Sequence, residues 1–157
     1  MAPAVTLAVG KAMVRPPFFR SYLMTDLTTT MKLNHLSFPS TDVAATAGFF
    51  QRHLGCTATP FGTSRHLKRP GFDIVIEDAS DREVAWPQNF HLGFELPTIE
   101  DVRDLYDRFM ADGVEMETEI ISHVRGSRFF CRAPGGVMFE INTRSDAAEP
   151  YRGTFDN

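Results

Sequence analysis

Two histidines and one glutamate stand at corresponding places along this chain. His35 lies in Lys32-Leu33-Asn34-His35-Leu36-Ser37-Phe38, and His91 lies in Asn89-Phe90-His91-Leu92-Gly93-Phe94-Glu95-Leu96. Each run precedes an amphipathic segment that ends in glycine. Glu140 lies in a third run, Gly136-Val137-Met138-Phe139-Glu140-Ile141-Asn142. Two imidazoles and one carboxylate carried on strands form a ligand set for a divalent transition metal that keeps open positions. Fe, Mn, Zn, Ni and Co all suit such donors. A lone histidine in a strand is more often structural than ligating. Two at equivalent places, with a carboxylate on the same face, reverse that preference.

The elements that must carry these residues repeat. The first strand alternates, with Leu36 and Phe38 on one side and Leu33, His35 and Ser37 on the other. Thr41 or Asp42 then caps a helix whose apolar stripe is Val43, Ala47, Phe50 and Leu54, and Gly55 stops it. Strands near 56–61, 64–68 and 72–77 follow, turned by Gly62-Thr63 and Pro70-Gly71. In the second copy Phe90, Leu92, Phe94 and Leu96 alternate with His91, Gly93 and Glu95. Thr98 and Asp101 make a capping box before the stripe Val102, Tyr106, Phe109 and Met110, and Gly113 ends that helix. Strands near 114–120, 126–132 and 136–142 complete it. The chain therefore reads as an α+β fold: two βαβββ modules, residues 31–77 and 90–144, joined by a polar linker at 78–89. The modules are expected to form a curved mixed-sheet cup with helices on the outside.

Parity assigns faces. Val137, Phe139 and Ile141 belong on the helix side, so Met138, Glu140 and Asn142 belong in the cup with both histidines. The same rule puts His66 and Lys68 in the cup beside Leu67, and adds Arg128, Phe130 and Arg132. Phe129, Phe130 and Trp86 are the aromatic candidates for its lining. For His66 a hairpin position exposed on both faces is the simpler reading. His53, near a helix C-terminus, needs only a capping role. Lys68, Arg128 and Arg132 also suit solvated positions.

Composition sets limits. The chain has 157 residues, about one domain's worth. Its 14 Phe supply enough apolar volume for a core. A net charge of -4 gives no electrostatic case for nucleic acid. No apolar run is long enough for a membrane span. Cys56 and Cys131 read as buried small hydrophobes in a reducing, cytoplasmic setting. Residues 1–30 read as an extension or arm, with Phe18, Phe19, Tyr22 and Leu23 available to pack. Residues 145–157 read as a tail.

Residues 31–144 resemble the vicinal oxygen chelate superfamily, the glyoxalase/bleomycin resistance protein/dioxygenase group. The resemblance rests on Asn34-His35-Leu36, on Phe49-Phe50 through Leu54-Gly55, on His91-Leu92-Gly93-Phe94, and on Ala133-Pro134-Gly135-Gly136 leading to Phe139-Glu140-Ile141. It implies that His35, His91 and Glu140 are metal ligands and that two modules close around one ion. It also implies a homodimer, since family members often pair modules between chains. Glyoxalase I and methylmalonyl-CoA epimerase use a fourth ligand on the last strand of the first module. Aligning Gly71 with Gly136 puts Val75 there, which cannot bind metal, whereas a shifted register would put Glu77 there. Arg128 and Phe130 stand where resemblance to fosfomycin-resistance transferases expects Ser and Tyr, which argues against that substrate. The implied activity is that of an isomerase, lyase or dioxygenase acting on a small oxygen-rich or anionic molecule through chelation of its oxygens. Glu77 or His66 is the candidate to move a proton, and Lys68, Arg128 and Phe130 are candidates to bind substrate. The alternative is a non-catalytic protein that sequesters a drug or metabolite, as bleomycin-resistance proteins do.

Overall fold

The computed structural model describes residues 31–71 and 73–153. The extension expected at 1–30, with its Phe18, Phe19, Tyr22 and Leu23, lies outside them, as do the last four residues. Asn34 begins the compact unit that carries the described regular elements. These are β1 (His35–Ser40), α1 (Val43–Leu54), β2 (Thr57–Phe61), β3 (Ser64–Lys68) and β4 (Asp73–Asp78), then β5 (His91–Glu95), α2 (Ile99–Ala111), β6 (Glu115–Met116), β7 (Arg128–Arg132) and β8 (Met138–Asn142). The expected tail contains a short 3-10 turn, Glu149–Tyr151.

Local chemistry sets the helix ends. The Asp42 carboxylate accepts the Ala45 N–H at 2.8 Å, satisfying a donor that the first turn leaves unpaired. Gly55 ends α1 in the left-handed region, φ 65°, which costs a residue without Cβ little. Thr98 and Asp101 form both halves of a capping box at the start of α2. Val102, Leu105 and Phe109 are its buried residues, whereas Met110 is exposed. Met110 lies about 80° round the helix from Val102, at the edge of the stripe, and Leu105 takes the central place expected for it.

The strands form two four-stranded sheets of identical plan, β1-β4-β3-β2 and β5-β8-β7-β6. In each, the first and last strands of the module pair in parallel across the helix. The first sheet sets His35 beside Asp73 and Ser37 beside Val75; the second sets His91 beside Met138 and Gly93 beside Glu140. Val75 therefore occupies the register place that Glu140 holds in the other module. β6 is much shorter than the strand expected at 114–120. The Glu117 and Thr118 N–H groups both donate to the Phe130 carbonyl, and the Thr118 hydroxyl accepts the Phe130 N–H. One residue too many faces Phe130, so regular pairing stops there.

The helix sides of both modules share one apolar core. Phe49 stacks on Phe139 at 5.5 Å and meets Phe109 at 5.9 Å, while Phe50 meets Phe139 edge-on at 5.3 Å. Each such ring contributes about 1.5–3 kcal/mol on burial. Trp86, in the linker, donates to the Gly135 carbonyl at 2.9 Å and packs edge-on to Phe38, so it ties both modules from the core side. Phe129 is fully buried against Tyr106 and Phe109. Neither ring lines the ligand face, and of the three aromatic candidates only Phe130 reaches it. Trp86 escapes the parity rule because it sits in a loop. Among the described residues no helix is long and apolar enough to cross a membrane.

His53 is sealed between Phe49 and Phe109, with its side chain only 4% exposed and Nδ1 3.8 Å from Asp112. Loss of hydration lowers its pKa below the usual 6.5; Arg52 and Arg108 push the same way, and Asp112 opposes them. The unfolded chain therefore takes up this proton more readily than the folded one as pH falls. The stability from keeping His53 neutral is present above about pH 6.5 and is lost as pH drops through the lowered folded value. Thermal melts near about pH 5.5 and 7.5 should differ less for His53→Gln than for the wild-type chain. Equal differences in the two proteins would contradict this.

Candidate metal centre

His91 opens β5 immediately after the linker. Asn89, two residues earlier, adopts φ 64°, a conformation asparagine tolerates, and its carbonyl lies 2.8 Å from His91 Nδ1. A carbonyl only accepts, so Nδ1 carries a proton and Nε2 is left to the group that faces it. That Nε2 faces Glu140 Oε2 at 3.1 Å. Glu140 is nearly buried in the middle of β8, and its other oxygen is already engaged. Arg128 Nη1 donates to Oε1 at 3.2 Å and Asn142 Nδ2 at 3.1 Å. The carboxylate is thus held from one side, with its free oxygen aimed at the imidazole.

Nε2 and Oε2 lie 3.1 Å apart. Such an arrangement calls for a cation between them, either a proton or a metal ion. Neighbouring ligands on an ion with bonds of about 2.1 Å lie about 3 Å apart at a right angle, so the spacing fits a shared divalent metal. The carbonyl on the far ring nitrogen fits as well, because metal-bound histidines are commonly fixed in that way.

The pair lies in a cleft of about 650 Å³ between β5, β8 and β7, which Arg125 and Arg144 also line. The Phe130 ring stands edge-on to His91 at 5.5 Å. Arg144 reaches Glu95, Nε to Oε2 at 3.5 Å. A second cleft of about 630 Å³ lies between α1 and the β7–β8 turn, away from the ligand pair, and contains neither His91 nor Glu140.

His35, Glu77, His66 and Lys68 sit on the corresponding face of the first sheet. His35 is exposed on β1, and its Nδ1 meets Asn34 Oδ1 at 2.7 Å, so its Nε2 is likewise left to other groups. Glu77 accepts a short hydrogen bond from Ser37. His66 stacks on Phe61 at 4.5 Å, and Lys68 pairs with Asp73 at 2.8 Å. Arg132, on β7, pairs with Glu117. The chain thus brings His91, Glu140, Arg128 and Phe130 together, but not His35. Among the described residues, no three His, Cys, Asp or Glu side chains converge on one point. Sequence reasoning missed Arg125 and Arg144. Arg144 continues the parity of Met138, Glu140 and Asn142 and was within reach of that rule. Arg125 is in a turn, where no periodicity applies.

The family model described as the Glyoxalase/Bleomycin resistance protein/Dioxygenase superfamily matches residues 32–141. No curated protein matches the chain in sequence. Solved structures do. A possible glyoxalase from Bacillus cereus is 27% identical, with 71% of this chain and 98% of that one covered and a TM-score of 0.62. A glyoxalase/bleomycin resistance protein/dioxygenase from Nocardioides is 17% identical over 82% of this chain and 95% of that one, TM-score 0.64. Lactoylglutathione lyase from Agrobacterium tumefaciens is 16% identical over 71% and 92%, TM-score 0.58. The last two likenesses concern the fold alone.

His91→Ala and Glu140→Gln should each abolish stoichiometric binding of a divalent metal while leaving the circular dichroism spectrum folded. Full metal occupancy in His91→Ala would remove the pair as ligands.

Proposed function

The chain belongs to the Glyoxalase/Bleomycin resistance protein/Dioxygenase superfamily, and from that premise we propose that it is a divalent-metal-dependent enzyme acting on a small anionic or oxygen-rich molecule. The metal is held by His91 and Glu140 of one protomer and His35 of a second copy in a homodimer. The observation that carries this reading is the opposition of His91 Nε2 and Glu140 Oε2 at 3.1 Å, with Nδ1 fixed by a carbonyl.

Three features support completion by a second copy. His35 and His91 open equivalent strands, and both have Nδ1 tied to an oxygen. Among the described residues β1 and β5 are both edge strands, each with one side open to a neighbour. Among the described residues of one chain, no third His, Cys, Asp or Glu side chain joins His91 and Glu140. Val75 at the Glu140 register place supports a three-ligand site and leaves Glu77 for another task.

A bound divalent ion would supply charge stabilisation to adjacent substrate oxygens. The chain's own residues do the rest. Arg128 and Asn142 orient Glu140, and Phe130 gives the cleft an apolar wall. Glu77, steadied by Ser37, is the candidate base from the first sheet, with His66 beside it as the second candidate. Lys68 contributes positive charge there, reduced by its pairing with Asp73.

Mixing two inactive variants tests the shared site. His35→Ala and His91→Ala proteins should each lack metal. A heterodimer of the two retains one intact site, so mixed and reassociated protein should regain metal and light scattering should show a dimer. No recovery in a verified heterodimer would overturn the shared site. Glu77→Gln should retain metal and lose turnover by about 10²-fold or more, the usual scale of general-base loss. Loss of metal instead would make Glu77 a ligand. Ligand binding indifferent to metal removal would favour a sequestering protein.

A further inference from the structure

Resting on the metal reading above, we propose that the substrate is a small carboxylate with an oxygen on the neighbouring carbon, its carboxylate gripped by Arg144, Arg128 and Arg125 while that oxygen meets the His91–Glu140 pair. Glu140 lays out the two positions. One of its oxygens faces His91 Nε2 and the other faces the Arg128 guanidinium. The ligand pair and the first arginine are therefore neighbours across a single carboxylate. A molecule that reaches one with an oxygen presents its next substituent to the other. A short molecule with oxygens on adjacent carbons suits two such neighbouring positions.

Charge then selects the group. The cleft holds three guanidiniums, on Arg125, Arg128 and Arg144, against the two carboxylates of Glu95 and Glu140. A bound divalent ion would add two further positive charges, so the cleft favours an anion over a neutral molecule. The Arg144 and Arg128 side chains are only 10% and 15% exposed, so water screens them little. Arg128 spends Nη1 on Glu140 and Nη2 on the Gly126 carbonyl, with His123 Nδ1 3.4 Å from the same Nη2, and its buried Nε makes no hydrogen bond among the described residues. Nη1 carries a second hydrogen, so an oxygen of a carboxylate can still dock there. Shape agrees with charge. Gly93 sits directly beside Glu140, and a Cβ there would meet only Asn142 Nδ2, at 3.9 Å. The floor beneath the ligand pair is therefore open for a small flat molecule, with the Phe130 ring as its side wall. The loop that carries Arg125 and Arg128 is fixed by Asp146, which accepts the Ser127 N–H at 3.0 Å and its hydroxyl at 2.6 Å.

Pyruvate and its neutral amide, pyruvamide, separate the contributions. Calorimetry on protein loaded with Mn²⁺ should show pyruvate binding at least about tenfold tighter than pyruvamide, the gain expected of a charge-assisted pair. Arg144→Gln should remove that preference, Arg144→Lys should restore part of it, and the exposed Arg125→Gln should weaken it without disturbing the fold. Metal content, measured on the same samples, should stay stoichiometric in all three. Equal binding of pyruvate and pyruvamide, a preference that survives Arg144→Gln, or tighter binding of inorganic phosphate than of pyruvate would overturn the proposal. The same titrations on metal-free protein keep the two readings distinct. A wild-type chain that takes up no stoichiometric metal yet prefers pyruvate, and loses the preference in Arg144→Gln, sinks the metal reading and leaves the carboxylate grip standing. Stoichiometric metal with no carboxylate preference does the reverse.

Discussion

The division of one carboxylate between two neighbours organises the ligand face of this protein. Glu140 gives Oε1 to Arg128 and Asn142 and turns Oε2 to His91. A nearly buried carboxylate with no partners would be costly, by several kcal/mol. The Arg128 and Asn142 donors offset that cost while leaving one oxygen for something else. They also stop the side chain from rotating away from His91. The Asn89 carbonyl does the same for the imidazole. Both groups are thus oriented before any third species arrives, and preorganisation of this kind is what a metal or a proton rewards.

That arrangement is possible because apolar and polar work are assigned to opposite faces of the same strands. On β8, Phe139 and Ile141 enter the core shared by both modules, and Met138, Glu140 and Asn142 turn the other way. Packing Phe49 and Phe50 of α1 against Phe139 and Phe109 of the second module uses up the helix sides of both sheets. The ligand faces are what remain. They carry His35 on one sheet and His91 with Glu140 on the other, and among the described residues each β1 or β5 strand has an unpaired edge. In the proposed function each sheet would contribute one part of the site.

Strand alternation made much of this legible in advance. Leu36 and Phe38 against His35, and Phe139 against Glu140, follow from a period of two, which backbone geometry enforces wherever one face is buried. Helix limits were equally readable, since Asp42, Thr98 and Gly55 act through local hydrogen bonds or backbone freedom that needs no tertiary partner. What escaped depends on contacts distant in sequence. β6 stops short because Thr118 and Glu117 compete for Phe130, a residue 12 or more positions away. Trp86 went to the core side because Phe38 and the Gly135 carbonyl hold it there. Arg125 lies in a turn, where neither period applies, and only the fold brings it to the cleft with Arg128 and Arg144.

The two modules, near copies in plan, differ where chemistry would be done. The register that pairs Gly93 with Glu140 pairs Ser37 with Val75. A glycine and a carboxylate leave an open, charged floor, whereas a serine and a valine put no charge at the same place. Arginines follow the first arrangement, with Arg128 and Arg144 on the Glu140 face. The first sheet instead carries a balanced pair, Lys68 with Asp73, and a carboxylate, Glu77, tethered by Ser37. A repeat whose halves had equal roles would keep the same residues at the same register places. Here one half concentrates positive charge around a fixed ligand pair and the other keeps an acceptor at its rim. The separation suits a site in which one sheet holds an anion and the facing sheet exchanges a proton with it, because a base placed among the arginines would be held ionised and too weak to accept one.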